Sequence, residues 1–363
     1  MNKKTVLILV NHEVVIYNFR KELVRKLVSQ EYNVIISCPA GMKLKELEGM
    51  GCKVKEVKID RRNVNPFKDV KLLFDYYKLF NEVKPDIVLT YTIKPNIYGG
   101  LVSKLFKIPY ISTITGLGSA LHKESMIKKI IIMLYKMSLR KAKAIYVQNK
   151  SDFDFLVSNS FNKNQLVLVP GSGVNLLEFN LKTYPPPDLT TRFLFIGRVM
   201  EEKGIYELLS AAKELESKGH NIEFHIAGFL DDNFQFSKGI PDNVKFLGVV
   251  NDVREKISTA HAVILPSYHE GMSNALLEAA ATGRPLLASN IPGCREVIDE
   301  PYNGYVFKVK SVTSIVEKIE TFIQLAYDEK KKMGRASRKK VEIEFDREII
   351  VMSYYNKILE VLK

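Results

Sequence analysis

The 363-residue chain is long enough for two domains, and its 46% hydrophobic and 26% charged residues are typical of globular proteins. Its first apolar run is too short for a signal peptide, and no segment has the roughly 18 to 20 apolar residues that cross a membrane. Three cysteines without a C-x-x-C spacing indicate neither a disulfide framework nor a zinc site. We therefore expect a cytoplasmic protein.

The net charge of +13 is distributed unevenly along the chain. Residues 1–180 carry 29 Lys and Arg against 15 Asp and Glu, a net charge of +14, whereas residues 181–363 carry 25 against 26, a net charge of −1. A basic half suggests an anionic partner such as nucleic acid, an acidic membrane surface or phosphates, although solubility alone would also explain it.

Short apolar runs alternate with longer amphipathic segments from end to end. Strands are predicted near residues 5–10, 33–37, 53–57, 86–90, 109–114, 144–147 and 166–169, and then near 192–196, 222–227, 244–247, 262–265 and 286–288. Helices are predicted between them, for example over 18–30 and 67–83. Such apolar strands separated by helices are typical of parallel sheets that are covered on both faces.

The segment 180–191 contains three consecutive prolines, which cannot continue a helix or a central strand. We predict a basic first domain over 1–180, a linker over 181–191 and a second domain over 192–345. The predicted fold class is α/β, with two doubly wound Rossmann-like domains that face each other across a cleft. Ligands of such sheets bind beyond the carboxyl ends of the strands.

The strand over 192–196 is followed by Gly197 and Arg198, and Lys203 lies near the start of the next helix. A guanidinium and an ammonium close to a helix amino terminus suit a diphosphate, because the helix dipole also favours negative charge there. The alternative is two surface cations, which would oppose the dipole.

The segment 266–285 predicts a loop with Ser273 as the N-cap of a helix over 274–281, and it contains Glu270 and Glu278. On one helix these two glutamates would be about 12 Å apart, at about 1.5 Å per residue. A glycosidase pair is about 5 to 9.5 Å apart, so that alternative is not favoured. Hydrogen bonding to hydroxyls of one extended ligand fits better, and ordinary surface glutamates are the other alternative.

Asp152 and Asp154 form an Asp-x-Asp sequence that metal-dependent glycosyltransferases also contain. Both aspartates fall in the predicted first turn of a helix, where capping and the helix dipole explain them. No metal is expected.

Several segments between Val169 and Phe307 together resemble the retaining glycosyltransferases of family 4, which have the two-domain GT-B fold. These segments are "VPGSGVNLLEF", "FIGRVMEEKG", "EGMSNALLE", "LLASNIPGCREVI" and "NGYVF". The resemblance implies a nucleotide-sugar donor and a reaction that needs no metal. It also implies a final helix over 346–363 that returns to the first domain.

The resemblance also assigns donor roles. Arg198 and Lys203 would hold the diphosphate of a UDP-sugar, and Glu270 would contact the sugar. These three residues are also the candidate catalytic residues on the donor side. Glu278 would accept hydrogen bonds from the ribose hydroxyls. The implied donor contacts are Gly197, Arg198, Lys203, Val249, Val250, Glu270, Gly271, Met272, Ser273 and Glu278.

The first half departs from the commonest pattern of this family. Thr115 stands where many members have a histidine, so the group that assists at the acceptor hydroxyl is not identified by the resemblance. His12 and His122 are candidates for that role, and a structural or exposed position is the alternative for each.

The variant "NFR…YTIKPNIYGG…GLGS" resembles a bacterial subgroup that acts on polyprenyl-diphosphate-linked sugars, including N-acetylgalactosaminyltransferases. It implies transfer of an N-acetylhexosamine from a UDP-sugar to a lipid-linked acceptor. The candidate acceptor contacts are Asn11, Arg20, Lys94, Gly116 and Gly118, for which ordinary surface positions are the alternative.

The segment 124–147 mixes apolar residues with lysine and arginine, as a helix at a membrane surface does. The alternative is a domain helix with a solvated basic face. If the acceptor is lipid-linked, a helix at the membrane surface implies a peripheral protein on the cytoplasmic face of an anionic membrane.

Two other functions are alternatives to sugar transfer. A nucleotide-sugar epimerase of similar shape would act on the donor alone. A nucleic-acid-binding protein would use the basic half, but no helix-turn-helix, zinc-finger or aromatic RNA-binding signature supports it, so no nucleic-acid partner is expected.

Overall fold

A computed structural model describes residues 3–60, 65–116, 126–187, 190–231, 234 and 239–363. The chain divides into two compact units. Unit 1 comprises Met1–Ser172 and Glu348–Lys363, and unit 2 comprises Gly173–Arg347.

The described part of unit 1 contains a seven-stranded parallel sheet with the order β3-β2-β1-β4-β5-β6-β7. The strands are β1 Thr5–Leu9, β2 Asn33–Cys38, β3 Lys53–Glu56, β4 Ile87–Tyr91, β5 Tyr110–Ile114, β6 Ala144–Val147 and β7 Leu166–Leu168. The helices of this part are α1 Glu13–Phe19, α2 Lys21–Ser29, α3 Leu44–Glu48, α4 Pro66–Val83, α5 Gly100–Leu105, α6 Met126–Leu139 and α7 Lys150–Ser158.

Two apolar clusters cover the two faces of this sheet. Helices α1 to α3 bury residues such as Leu23 and Leu27 on one face. Helices α4 to α7 bury residues such as Leu72 and Tyr135 on the other. Burial on both faces explains why the strands are almost wholly apolar.

The described part of unit 2 contains a six-stranded parallel sheet with the order β10-β9-β8-β11-β12-β13. The strands are β8 Thr191–Ile196, β9 Ile222–Ala227, β10 Val244–Gly248, β11 Ala262–Leu265, β12 Leu286–Ser289 and β13 Gly304–Phe307. The helices are α8 Ile205–Ser217, α9 Val253–Thr259, α10 Asn274–Ala281, α11 Val312–Gln324 and α12 Tyr327–Glu344. The strand order reverses beside β1 in one sheet and beside β8 in the other, which is the doubly wound pattern.

The last helix, α13, spans Arg347–Leu362 and packs within unit 1 from Glu348 onwards. The Tyr354 hydroxyl lies 2.6 Å from Thr113 Oγ1, and the Tyr354 ring stacks on Tyr146 at 3.9 Å between centroids. Tyr354 is fully buried, together with Ile358. These contacts attach the end of the chain to the sheet of unit 1.

The chain divides after Ser172, eight residues before the predicted boundary at residue 180. Part of the segment predicted as a linker packs on unit 2, because the buried Arg284 guanidinium donates from Nη2 to the Thr183 carbonyl at 2.8 Å. The Tyr184 hydroxyl donates to the His261 carbonyl at 2.9 Å. The prolines do interrupt regular structure, but the segment is attached to unit 2 by its side chains and carbonyls.

The helix predicted over 18–30 is two helices, because Arg20 ends α1 and precedes α2 with φ −139° and ψ 4°. Within the ranges that the structure describes, no helix combines the length and the apolar character needed to cross a bilayer.

Candidate functional site

Two loops at the carboxyl edge of the unit 2 sheet are packed tightly together. Gly204, in the loop after β8, has φ +69°, and a Cβ there would lie 2.1 Å from the carbonyl oxygen of Pro266 in the loop after β11. The Tyr268 N–H also donates to the Glu202 carbonyl at 2.9 Å. Only glycine fits at position 204, so the two loops approach each other closely.

Lys203 and Glu270 form an ion pair between these loops. The distance from Lys203 Nζ to Glu270 Oε1 is 2.5 Å, and both side chains are largely buried. Solvent screens such a pair less than it screens a surface pair. The structure thus joins two of the residues that the sequence proposed as donor contacts.

The loop that contains Glu270 leads directly into α10. Ser273 is the N-cap, as predicted, and its Oγ accepts a hydrogen bond from the Leu276 N–H at 3.3 Å. The Ser273 N–H donates to the Gly293 carbonyl at 2.9 Å, so this amide is engaged within the protein. One of the predicted amides at residues 271–273, that of Ser273, therefore already has a partner within the protein.

Arg198 follows β8 and lies against the loop that follows β9. Its Nη1 is 3.6 Å from Asp231 Oδ2, and its guanidinium carbon lies 5.3 Å from the centroid of the Phe229 ring. Gly228 has φ +156°, and a Cβ there would lie 1.7 Å from the Gly197 carbonyl oxygen. Sequence reasoning missed Phe229 and Asp231, although a glycine directly after β9 repeats the Gly197 pattern after β8 and is a signal for this position.

Glu278 lies on α10, whereas Glu270 lies in the preceding loop, so the two carboxylates are not on one helix. The pKa of Glu278 is raised to about 7, chiefly by burial, while Arg347 opposes this shift and the nearby Glu178 carboxylate adds to it. The carboxylate of Glu278 is therefore costly to keep charged in the free protein.

Val249 and Val250 follow β10 at the same edge. The Val249 side chain is exposed, and Val250 packs partly against the core of unit 2. The preceding Gly248 has φ +65°, and its carbonyl accepts a hydrogen bond from the Gly228 N–H at 2.8 Å. Glycines at 197, 228 and 248 therefore follow or end three neighbouring strands, where they carry no side chain that would cover the backbone.

In unit 1, His12 caps α1 just beyond the carboxyl end of β1, and Asn11 precedes it. His12 Nδ1 lies 3.3 Å from the Val14 N–H nitrogen and 2.7 Å from Glu13 Oε2. Glu13 is buried, while His12 is partly exposed. The structure therefore gives His12 a fixed orientation at the topological switch point of this sheet.

Arg20 and Lys94 are engaged inside unit 1. Arg20 is buried, donates from Nη1 to the Phe19 carbonyl at 2.7 Å, and lies over the ring of Tyr91 at 5.3 Å. Lys94 Nζ is 2.7 Å from Asp69 Oδ1. The sequence predicted both as cations available to an acceptor. It could not show the contacts with Tyr91 and Asp69, because those partners come from distant segments.

The remaining candidates of unit 1 follow β5. Thr115 and Gly116 are both partly buried, and Gly116 has φ +125°. Gly118 and His122 lie outside the described residues.

The Asp-x-Asp sequence at the start of α7 has capping contacts. Asp152 is buried and accepts from Asn149 Nδ2 at 3.1 Å, and Asp154 pairs with Lys150. In the part of the chain that the structure describes, no group of three or more His, Cys, Asp or Glu side chains could hold a metal ion.

The fold and the site define the class of the protein. Its two Rossmann-like units have the GT-B fold, and the model of the "Glycosyl transferases group 1" family matches residues 179–340. The model of the "Glycosyl transferase 4-like" family matches residues 5–149. The chain belongs to these glycosyltransferases, as the sequence motifs predicted.

Individual relatives and structures agree with this class. The chain is 27% identical, over 96% of each sequence, to the N,N'-diacetylbacillosaminyl-diphospho-undecaprenol alpha-1,3-N-acetylgalactosaminyltransferase of Campylobacter jejuni. It is 25% identical, over 70% of each sequence, to the UDP-Gal:alpha-D-GlcNAc-diphosphoundecaprenol alpha-1,3-galactosyltransferase of Escherichia coli. The structure of Anabaena Alr3699/HepE in complex with UDP and glucose is similar in fold, with a TM-score of 0.80, 14% identity and coverage of 98% of this chain and 100% of that one. None of these three comparisons supports the epimerase alternative.

Proposed function

We propose that this glycosyltransferase moves a sugar from a UDP-sugar to a polyprenyl-diphosphate-linked saccharide, with retention of anomeric configuration. Two relatives support the acceptor class, because both are named for diphospho-undecaprenol acceptors. An N-acetylhexosamine is the proposed sugar, since the relative that matches 96% of the chain is an N-acetylgalactosaminyltransferase. The pathway would build a surface polysaccharide or a glycoprotein glycan.

The observation that carries this proposal is the Lys203–Glu270 pair beside the start of α10. When a sugar–phosphate bond breaks, negative charge develops on the leaving diphosphate, and prearranged cations stabilise that charge. Lys203 and Arg198 supply two such cations at one sheet edge, and the dipole of α10 adds to them. These positive charges would stabilise the leaving diphosphate without a metal ion.

The other donor contacts divide the substrate between them. Glu270, freed in part from Lys203 when the diphosphate binds, would accept a hydrogen bond from a sugar hydroxyl. Glu278 would accept from the ribose hydroxyls, and the backbone near Val249 and Val250 would meet the uracil. The opposite charges of Lys203 and Glu270 thus each gain a partner on the donor.

Unit 1 would bind the acceptor, and the protein would work as a peripheral protein at the cytoplasmic face of the membrane. Among the described candidates, His12 is the best placed for an acceptor hydroxyl, because Glu13 orients its ring and the side chain is partly exposed. Arg20 and Lys94 are weaker candidates for the acceptor diphosphate, because both have internal partners.

Ligand-induced thermal shifts test the donor assignment. We expect UDP-N-acetylhexosamines to raise Tm in a saturable manner, because a ligand at 100 times its Kd adds about 2.7 kcal/mol of stability. GDP- and dTDP-sugars serve as the comparison set. If no UDP-sugar shifts Tm, or if Arg198→Ala shifts as much as the wild type does, the proposed donor site is wrong.

A further inference from the structure

Helices α4, α5 and α6 form one layer on unit 1. They bury Leu72 and Tyr76 of α4, Val102 of α5, and Tyr135 and Leu139 of α6 in a single apolar cluster on the same face of the sheet. Because all three helices pack on the same face of the sheet, their opposite sides together form one surface of unit 1.

The outer side of α4 is apolar as well. Phe67 is 88% exposed, Val70 67%, Phe74 55% and Tyr77 42%. Their spacing of three, four and three residues places them on one stripe of the helix, opposite the buried residues at 72, 76 and 79. Most helices at a protein surface have one apolar stripe, and α4 has two.

Helix α6 repeats this pattern. Ile130, Met133 and Met137 are exposed at the same spacing of three and four residues, and they lie opposite the buried Tyr135 and Leu139. Two neighbouring helices of one layer therefore each present an apolar stripe to solvent.

Side-chain contacts connect the two stripes through α5. The Tyr77 ring lies 5.1 Å from the Phe106 ring, and the neighbouring Leu105 is exposed. Lys104 Nζ donates to the Met137 carbonyl at 2.6 Å. We name this continuous surface the α4–α6 face, formed by Phe67, Val70, Phe74, Tyr77, Leu105, Ile130, Met133 and Met137.

The charge around the α4–α6 face is strongly positive. From residue 66 to residue 151, a range that spans α4, α5 and α6, the sequence has fifteen Lys and Arg and five acidic residues, a net charge of +10. Lys78, Lys129 and Lys136 are exposed on the helices of the face itself, and Lys78 Nζ lies 4.6 Å from the centroid of the Phe74 ring. Apolar and basic groups are therefore interleaved rather than separated.

We infer that the α4–α6 face binds an anionic lipid surface. Exposed Phe, Tyr, Leu and Met surrounded by lysine suit the boundary between acidic headgroups and acyl chains, where each basic residue contributes about 1 kcal/mol. A protein partner is less favoured, because lysine is depleted at protein–protein interfaces. The inference deepens the proposed function, on which it rests for its biological purpose, since a lipid-linked acceptor would be presented at such a surface.

Co-sedimentation with lipid vesicles that contain no acceptor tests the inference directly. The wild-type protein should bind phosphatidylglycerol vesicles, and phosphatidylcholine vesicles much more weakly. The variant Phe67→Ser/Phe74→Ser/Met133→Ser should reduce the partition coefficient on anionic vesicles at least tenfold, and Lys129→Glu/Lys136→Glu should do the same. Absence of wild-type binding to anionic vesicles would overturn the inference and favour a protein partner for this face.

Met42→Ser is the matched control. Met42 is 92% exposed in unit 1, just before α3, whose Leu47 packs on the opposite face of the sheet. This variant should bind vesicles like the wild type, and an equal loss in it would contradict an assignment to the α4–α6 face. Thermal unfolding of every variant checks that the substitutions leave the protein folded.

A transfer assay with a short-chain, water-soluble polyprenyl-diphosphate acceptor separates this inference from the proposed function. The triple serine variant should retain wild-type transfer to that acceptor while it loses vesicle binding. Loss of transfer to it would contradict the inference, because the face would then belong to the substrate site. Vesicle binding without transfer by the wild type would leave the inference standing and refute the proposed function.

Discussion

Lys203 Nζ lies 2.5 Å from Glu270 Oε1, and this ion pair joins two loops that are 67 residues apart in the sequence. The two loops follow β8 and β11, the neighbouring strands at which the strand order of unit 2 reverses. In the free protein each side chain neutralises the other. A ligand that offers both a diphosphate and a hydroxyl would give each of them a new partner.

Replacing Glu270 tests the role of this pair in sugar transfer. Glu270→Gln keeps the size of the side chain and removes its charge, so we expect kcat to fall about 10²- to 10³-fold, as for loss of one prearranged polar group in an active site. Steady-state kinetics of UDP release measure the effect. Full activity of Glu270→Gln with an unchanged Tm would show that this carboxylate has no role in the reaction.

Replacing Arg198 tests diphosphate binding. Loss of a hydrogen bond to a charged group costs about 1.5 to 3 kcal/mol, so Arg198→Ala should weaken UDP binding roughly 10- to 100-fold in calorimetric titration. Arg254→Ala is the control, because Arg254 is also exposed and pairs with Asp252 at the start of α9. Equal effects of the two substitutions would mean that Arg198 acts only through the general charge of the surface.

The raised pKa of Glu278 predicts a pH dependence. Since the folded-state pKa is about 7 and the ordinary value is 4.5, the native protein loses stability as pH rises from about 4.5 to 7. Glu278→Gln should therefore be more stable than the wild type at pH 8, by up to about 3 kcal/mol, and not at pH 4.5. Urea denaturation at the two pH values measures this difference.

The same group predicts the pH dependence of nucleotide binding. If the Glu278 carboxylate accepts from the ribose hydroxyls, the affinity of the wild type for UDP should rise up to about tenfold between pH 6 and pH 8. The Gln variant should lack that rise. A wild-type affinity that is constant over this range would argue against the ribose contact.

The close approach of the two loops predicts a steric effect at Gly204. Gly204→Ala places a Cβ against the Pro266 carbonyl, so it should cost about 2 kcal/mol or more and weaken UDP binding as the Lys203 loop moves. Gly219→Ala is the matched control, because Gly219 also has positive φ, at +77°, but a Cβ there meets no atom within 4 Å. Equal destabilisation of the two variants would show that backbone strain, rather than the approach of the loops, is responsible.

Local patterns allowed much of the fold to be predicted. Runs such as the one that forms β11 are fully apolar because both faces of the sheet are covered, and Ser273 has the side chain that an N-cap needs. The family motifs then predicted the glycosyltransferase class, which the family models confirm.

Contacts between residues that are distant in the sequence could not be predicted from such local patterns. The sequence gives no direct sign that Lys94 pairs with Asp69 or that Arg20 lies over Tyr91, because each of these pairs depends on the tertiary fold. The attachment of the predicted linker to unit 2 was not predicted for a similar reason, since the carbonyl of Thr183 accepts a hydrogen bond from Arg284, about a hundred residues later. The exposed apolar stripe of α4 could not be predicted either, because the sequence of a helix with two apolar sides does not show which side is covered.

The most direct test of the account is a transfer assay with a panel of UDP-sugars and undecaprenyl diphosphate that carries one N-acetylhexosamine. We expect one UDP-N-acetylhexosamine to give UDP and a lipid product that is heavier by one sugar residue in mass spectrometry, and we expect both to appear only when the acceptor is present. The account is contradicted if no UDP-sugar yields a product, or if a new sugar nucleotide forms without any acceptor.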